Sequence, residues 1–165
     1  MKPAPISLIE YFATDLSLVT NRKFLPDKPV QYIATESHVD VALARNDRAG
    51  EPNHCWQVTL EVRHQTGPET NFPYSYRVVL VGQFGVAPSV KTEDEERTVR
   101  IHGASVLYGM TREIVRALTG RGPYRSVILP TVSFYEQKEP VVPASTAESR
   151  PGISGRVALR RRSAK

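Results

Sequence analysis

Four histidines and one cysteine are the residues of this 165-residue chain best suited to chemistry, and their spacing gives them little to do. His38, His54, His64 and His102 fall in strand or turn contexts, and none stands at ligand spacing from another or from Cys55. No metal site is expected. The acidic run Glu93-Asp94-Glu95-Glu96 has carboxylates enough for a cation but lacks the spacing and turn glycine of a calcium loop. Lys91 to Arg97, KTEDEER, therefore reads as a solvated charged stretch. Thr119-Gly120-Arg121-Gly122 follows a helix instead of opening one, and lacks the Gly-Lys-Ser/Thr of a phosphate loop. There is no Gly-x-Ser-x-Gly elbow. The expectation is a protein that is not an enzyme and needs no cofactor.

Surfaces remain. Several aromatic residues fall beside loops: Tyr11, Phe12, Phe24, Phe72, Tyr74, Tyr124 and Phe134. They read either as a sheet core or as a groove for apolar polypeptide, since aromatic rings bury much area at low entropy cost. Phe24 stands among polar residues in the proline-flanked loop Thr20 to Pro29, with no periodic apolar partner. Core burial is its weaker explanation.

The elements that would position these residues are legible in the alternation. Ile6 to Val19 reads as a first strand and His38 to Leu43 as a weaker second. In Cys55–Gln65, Trp56, Val58, Leu60 and Val62 face one way, against Gln57, Thr59, Glu61 and Arg63. That is a half-buried antiparallel strand. Phe72 to Phe84 is a long strand whose run Val78-Val79-Leu80-Val81 suggests cover on both faces. Four sequential strands make an antiparallel meander. A helix follows, from about Ser105 as N-cap to Thr119, with Gly120 as a C′ residue. Its apolar stripe is Leu107, Met110, Ile114 and Leu118. Beyond Gly122 an apolar, proline-bounded strand leads to Pro130-Thr131-Val132-Ser133-Phe134. The fold class is α+β.

Composition is ordinary for a globular protein, 40% hydrophobic and 24% charged. One cysteine excludes an internal disulfide framework, and Cys55 reads as a buried, inert thiol. No run approaches a membrane span, and MKPAPISLIEYFATD is too short and acidic for a secretory signal, so a cytoplasmic protein is expected. The net charge of +5 lies wholly beyond Pro140, in six basic residues against Glu148. Residues 1–139 hold 16 basic and 16 acidic groups. They read as one folded domain, and 140–165 as a disordered basic tail. A nucleic-acid-associated protein acting through Arg160-Arg161-Arg162 is the alternative of another class, though nucleic acid is an unlikely partner for a neutral body.

Over roughly residues 8–135 the chain resembles the SecB export chaperones. Glu10 to Leu18, EYFATDLSL, is similar to that family's first-strand pattern. Gly82-Gln83-Phe84 resembles its Gly-x-Phe strand end, and Tyr108 to Glu113 sits where it has Phe-Pro-Tyr-Ala-Arg-Glu. GRGPYRSVILPTVSF is similar to its Arg-Gly-x-Phe-Pro and Pro-Val-Asn-Phe ending. The resemblance implies a four-stranded antiparallel sheet with one long helix on one side, assembled as a homotetramer, a dimer of dimers. It implies an ATP-independent chaperone that keeps unfolded preproteins translocation-competent, or a dedicated chaperone for an antitoxin client. Phe24, Tyr124 and Phe134 become client-binding candidates, and Leu107, Met110, Ile114 and Leu118 an oligomer interface. On the sheet face where the SecA motor docks in the family, Asp15 is kept, but Val19 and Arg77 stand where acidic residues are usual. Weak SecA contact is expected. The family's second helix is interrupted here by Pro140 and Pro143, and its acidic tail is replaced by a basic one.

Overall fold

Residues with one apolar face must bury it, and here a single helix supplies the cover. The computed structural model describes residues 4–30, 37–45, 54–67 and 70–135. Four strands form one antiparallel sheet: β1 Ile6–Thr20, β2 Ser37–Arg45, β3 Cys55–His64 and β4 Tyr74–Val86. Their order in space is β1-β4-β3-β2. β2, β3 and β4 make a meander. β1 departs from that expectation: it lies beside β4 on the far edge, not beside β2.

β3 and β4 are the central pair, with Leu60 opposite Leu80 and Val62 opposite Val78. All four side chains are essentially buried. Val79 and Val81, on the opposite face, are buried as well, as their continuous apolar run suggested. β1 is unlike them. It is 15 residues long, mostly exposed, and carries register shifts at Leu8/Glu10 and Ala13/Asp15. Each shift is an extra residue that bends the edge.

The helix, α1, runs from Thr92 to Thr119, 28 residues and so about 42 Å. It begins 13 residues before the expected start. The charged stretch KTEDEER is, from Thr92, the first turns of the helix, where Glu93, Asp94 and Glu95 complement the positive end of the helix dipole. Ser105 is no cap, and its hydroxyl donates to the Ile101 carbonyl within the helix. Gly120 has φ of −66°, so no left-handed C′ geometry is used. Glu95 is buried and accepts a hydrogen bond from Trp56 Nε1 (3.2 Å), while its other oxygen meets His54 Nδ1. These contacts fix the start of α1 to β3.

The face that α1 buries is Val99, Ala104, Leu107, Tyr108, Thr111 and Val115. Of the expected stripe, Leu107 is buried, while Met110, Ile114 and Leu118 are half-buried along its border. Helix and sheet approach closely. A Cβ at Gly103 would stand 2.9 Å from Val58 Cγ2, and one at Gly82 would stand 3.0 Å from Leu107 Cδ2. Both positions need glycine for the fit.

After α1 the chain doubles back along the helix. Residues 123–134 are neither helix nor strand, which corrects the strand expected there. They are held instead by side chains. Val127 N–H donates to Thr119 Oγ1 (2.9 Å), Arg112 Nε to the Leu129 carbonyl (3.1 Å), and Tyr108 Oη to the Pro130 carbonyl (2.8 Å). The anchors advance three residues along this segment while they retreat eleven along the helix. An extended chain covers only about 10 Å in three residues, against about 16 Å of helix. The segment therefore runs stretched and antiparallel to α1, with the reach of the helix side chains making up the difference. The Tyr74 hydroxyl fixes its start. It accepts from Tyr124 N–H (3.0 Å) and has the Tyr124 and Thr119 carbonyls within 3.3 Å for its own proton. The expected 140–165 tail lies outside the described residues.

Replacing Tyr74 by Phe leaves the Tyr124 amide and its neighbours without this partner in a buried place. Stability should fall by about 1–2 kcal/mol. Hydrogen exchange at Tyr124 and Val127 should rise more than in the sheet. Unchanged protection there would remove Tyr74 as the anchor.

Candidate functional site

A groove of about 1090 Å³ opens between the Asn21–Val30 loop and the extended 123–130 segment. Phe72 and Pro73, at the entry to β4, are part of its lining, and so is Leu129. Phe24 and Tyr124 meet across it, ring centroids 4.7 Å apart and nearly edge-to-face. Val30 and Ile128 line it as exposed apolar side chains, at 56% and 68% exposure.

One asparagine shapes the loop. Asn71 accepts from the Leu25 amide (3.0 Å), and its side-chain N–H₂ has the carbonyls of Leu25, Lys28 and Pro29 within 3.2 Å. Asn21 fixes the other end, through the Phe72 and Pro73 carbonyls. Prolines 26 and 29 cannot donate, so these side-chain bonds take the place of a strand ladder. The opposite wall is tied to α1 through Val127 and Leu129, as described. No hydrogen bond within the described residues engages the Ile128 N–H or C=O. The Ile128 side chain is exposed, next to buried Leu129.

Of the three client-binding candidates, the structure brings Phe24 and Tyr124 together. Phe134 lies elsewhere, edge-to-face with Tyr108 (5.9 Å) and packed against the core. Val30, Ile128, Lys28 and Arg125 went unnoticed in the sequence, and Phe72 was noted there only as one of the aromatic residues beside loops. Their one signal was the pair of proline-punctuated segments around 26–30 and 123–130.

Asp15, Val19 and Arg77 share the sheet face away from α1, and Arg77 is engaged there. Its guanidinium forks onto Glu61 (2.9 and 3.1 Å) and reaches Asp15 (2.5 Å). The hydrogen bond from Arg77 holds the Glu61 carboxyl below its ordinary 4.5, and Glu61 raises the Arg77 guanidinium. A depressed acid contributes above its ordinary value, so this pairing is complete above pH 4.5 and is lost as the pH falls below it. Val19 is 63% exposed.

Among the described residues no group of His, Cys, Asp and Glu is placed to hold a metal, and no helix is long and apolar enough to cross a membrane. Cys55 is buried and unpaired with another cysteine.

Comparison with known proteins follows the same lines. The SecB-like chaperone Rv1957 of Mycobacterium tuberculosis, solved in complex with a ChAD peptide from the Rv1956 HigA1 antitoxin, is similar in fold. It has a TM-score of 0.56 and 18% identity over 78% of this chain and 92% of that one. A protein of unknown function from Streptococcus agalactiae has a TM-score of 0.50 and 9% identity, over 76% of this chain and 97% of its own. No curated protein matches. The family of preprotein translocase subunit SecB matches residues 2–139, a span that contains every described residue. The fold, the helix cover and that match agree: the chain belongs to the SecB family.

Proposed function

We propose that this protein is an ATP-independent cytoplasmic chaperone that holds non-native polypeptide in the groove between Asn21–Val30 and 123–130. The observation that carries the reading is the groove itself: a preformed, mostly apolar channel with the Phe24–Tyr124 pair across it. Binding an unfolded segment there opposes folding and aggregation by mass action alone. The open backbone edge at Ile128 suits an extended client. The structural neighbour from Mycobacterium tuberculosis was solved with an antitoxin peptide, which favours an antitoxin-type client as the second reading.

Assembly is the second part of the proposal. β1 is an edge strand with Ile9, Tyr11, Phe12, Leu16 and Val19 about half or more exposed. Val106, Met110, Ile114 and Leu118 recur every fourth residue on α1 and are incompletely covered. Monomers rarely leave such apolar surface open. A homotetramer, a dimer of dimers, covers both. The third part is weak contact with the SecA motor, because Arg77 already holds Asp15 and Glu61.

Phe24→Ala should weaken suppression of client aggregation several-fold and change stability by less than about 1 kcal/mol, as away from a packed core. Unchanged holding, or a large loss of stability, would count against the groove. Ile114→Asp, or the more exposed Val106→Asp, places a carboxylate in the apolar contact. Native mass spectrometry should show smaller species for both, and an intact tetramer for Val106→Asp would refute the helix interface. For the motor, titration at moderate salt should show weak wild-type binding that Arg77→Gln strengthens by releasing two carboxylates. Tight wild-type binding, not improved by the variant, would sink that part.

A further inference from the structure

The groove walls are charged, and with one sign. Arg22, Lys23 and Lys28 lie on the loop, Arg121 and Arg125 on the facing segment, and Asp27 is the sole acid of the two stretches. Lys28 and Arg125 line the groove, whereas Asp27 does not. Neither Lys28 nor Arg125 is paired with a carboxylate among the described residues. Of the acids elsewhere, Asp15 and Glu61 are held by Arg77, Glu96 by Arg100, Glu113 by Arg116, and Glu95 by His54 and Trp56. The charged residues that line the apolar channel are thus both basic, with no carboxylate in the lining, in a domain whose charges balance overall.

We infer that this groove selects extended apolar segments flanked by acidic residues, with Lys28 and Arg125 meeting the carboxylates. The inference rests on the client-binding reading above and adds to it the sign of the client. The apolar channel supplies the area that holds the segment. The two cations on opposite walls set its register and reject segments of their own sign, since like charges facing each other disfavour the wrong partner. The chain's own residues 140–165 carry six cations and one acid, the wrong sign for this rim. An acidic-flanked segment of another chain is the occupant that complements it.

The test uses the full chain and three labelled peptides, followed by fluorescence anisotropy. Each has the same short core of leucine, valine and phenylalanine, flanked by glutamates, serines or lysines. The glutamate peptide should bind at least about fivefold more tightly than the lysine peptide at low salt, as two exposed ion pairs allow. The gap should narrow as salt screens the rim. Lys28→Glu with Arg125→Glu should reverse the order of the glutamate and lysine peptides while the melting temperature holds. Equal affinity for all three peptides would overturn the charge preference while leaving the groove as a client site. An acidic preference that survives the double variant would also overturn it, since the rim would then not be its source. Binding of none of the peptides would overturn both readings. Displacement of the glutamate peptide by a single-stranded oligonucleotide, lost in the double variant, would assign the rim to nucleic acid and refute the inference.

Discussion

The hydroxyl of Tyr74 is the contact on which the groove depends. It sits where β4 begins, the last turn of α1 ends, and the extended segment starts. Three elements that share no hydrogen-bond ladder are joined through one buried side chain. Gly122 allows it: a Cβ there would collide with the Tyr74 ring. With the segment started at that point, Thr119, Arg112 and Tyr108 lay it along the helix, and the groove is the space left between it and the loop. A site built in this way uses helix side chains as a ladder. The segment's apolar residues are then free to point outward, as Ile128 does.

Alternation made the sheet legible. Val58, Leu60 and Val62 turn inward as period two demands, and the continuous run from Val78 to Val81 is covered on both sides. The helix was half legible. Its C-terminal half shows apolar residues at spacings of three and four. Its first turns, TEDEER, are nearly all charged and bury only Glu95, whose partners His54 and Trp56 come from 39 or more residues away. No local pattern announces a partner at that distance. The inward face was also misplaced by part of a turn, because Thr111 and Thr119 are polar by type yet buried, their hydroxyls returned to the helix carbonyls of Leu107 and Val115.

The site was readable only as residue types. Phe24 attracted notice because it stands in a proline-flanked loop with no periodic partner, and Tyr124 through the family resemblance; the two do meet across the groove. Phe134 looked equivalent in sequence, but its ring meets Tyr108 edge-to-face. Lys28 and Arg125 could not be singled out by charge counting, because a balanced total hides where each charge is satisfied. The placement of β1 beside β4 was equally hidden, since adjacency in sequence argued for β2. Arg77 against Asp15 and Glu61 spans both sheet junctions, β1 to β4 and β3 to β4, and is visible only once that order is known.

The two bulges in β1 bear on a hazard of a different kind. A straight 15-residue edge rich in apolar side chains would template one added strand after another without limit. Extra residues between Leu8 and Glu10, and between Ala13 and Asp15, break the regular alternation of donors and acceptors at two places and bend the strand. A partner must match both interruptions, which a copy of the same strand does and a generic flat strand does not. The irregularity thus favours closed, self-limiting pairing over open-ended growth, and keeps a polypeptide-binding protein from becoming a seed for aggregation itself.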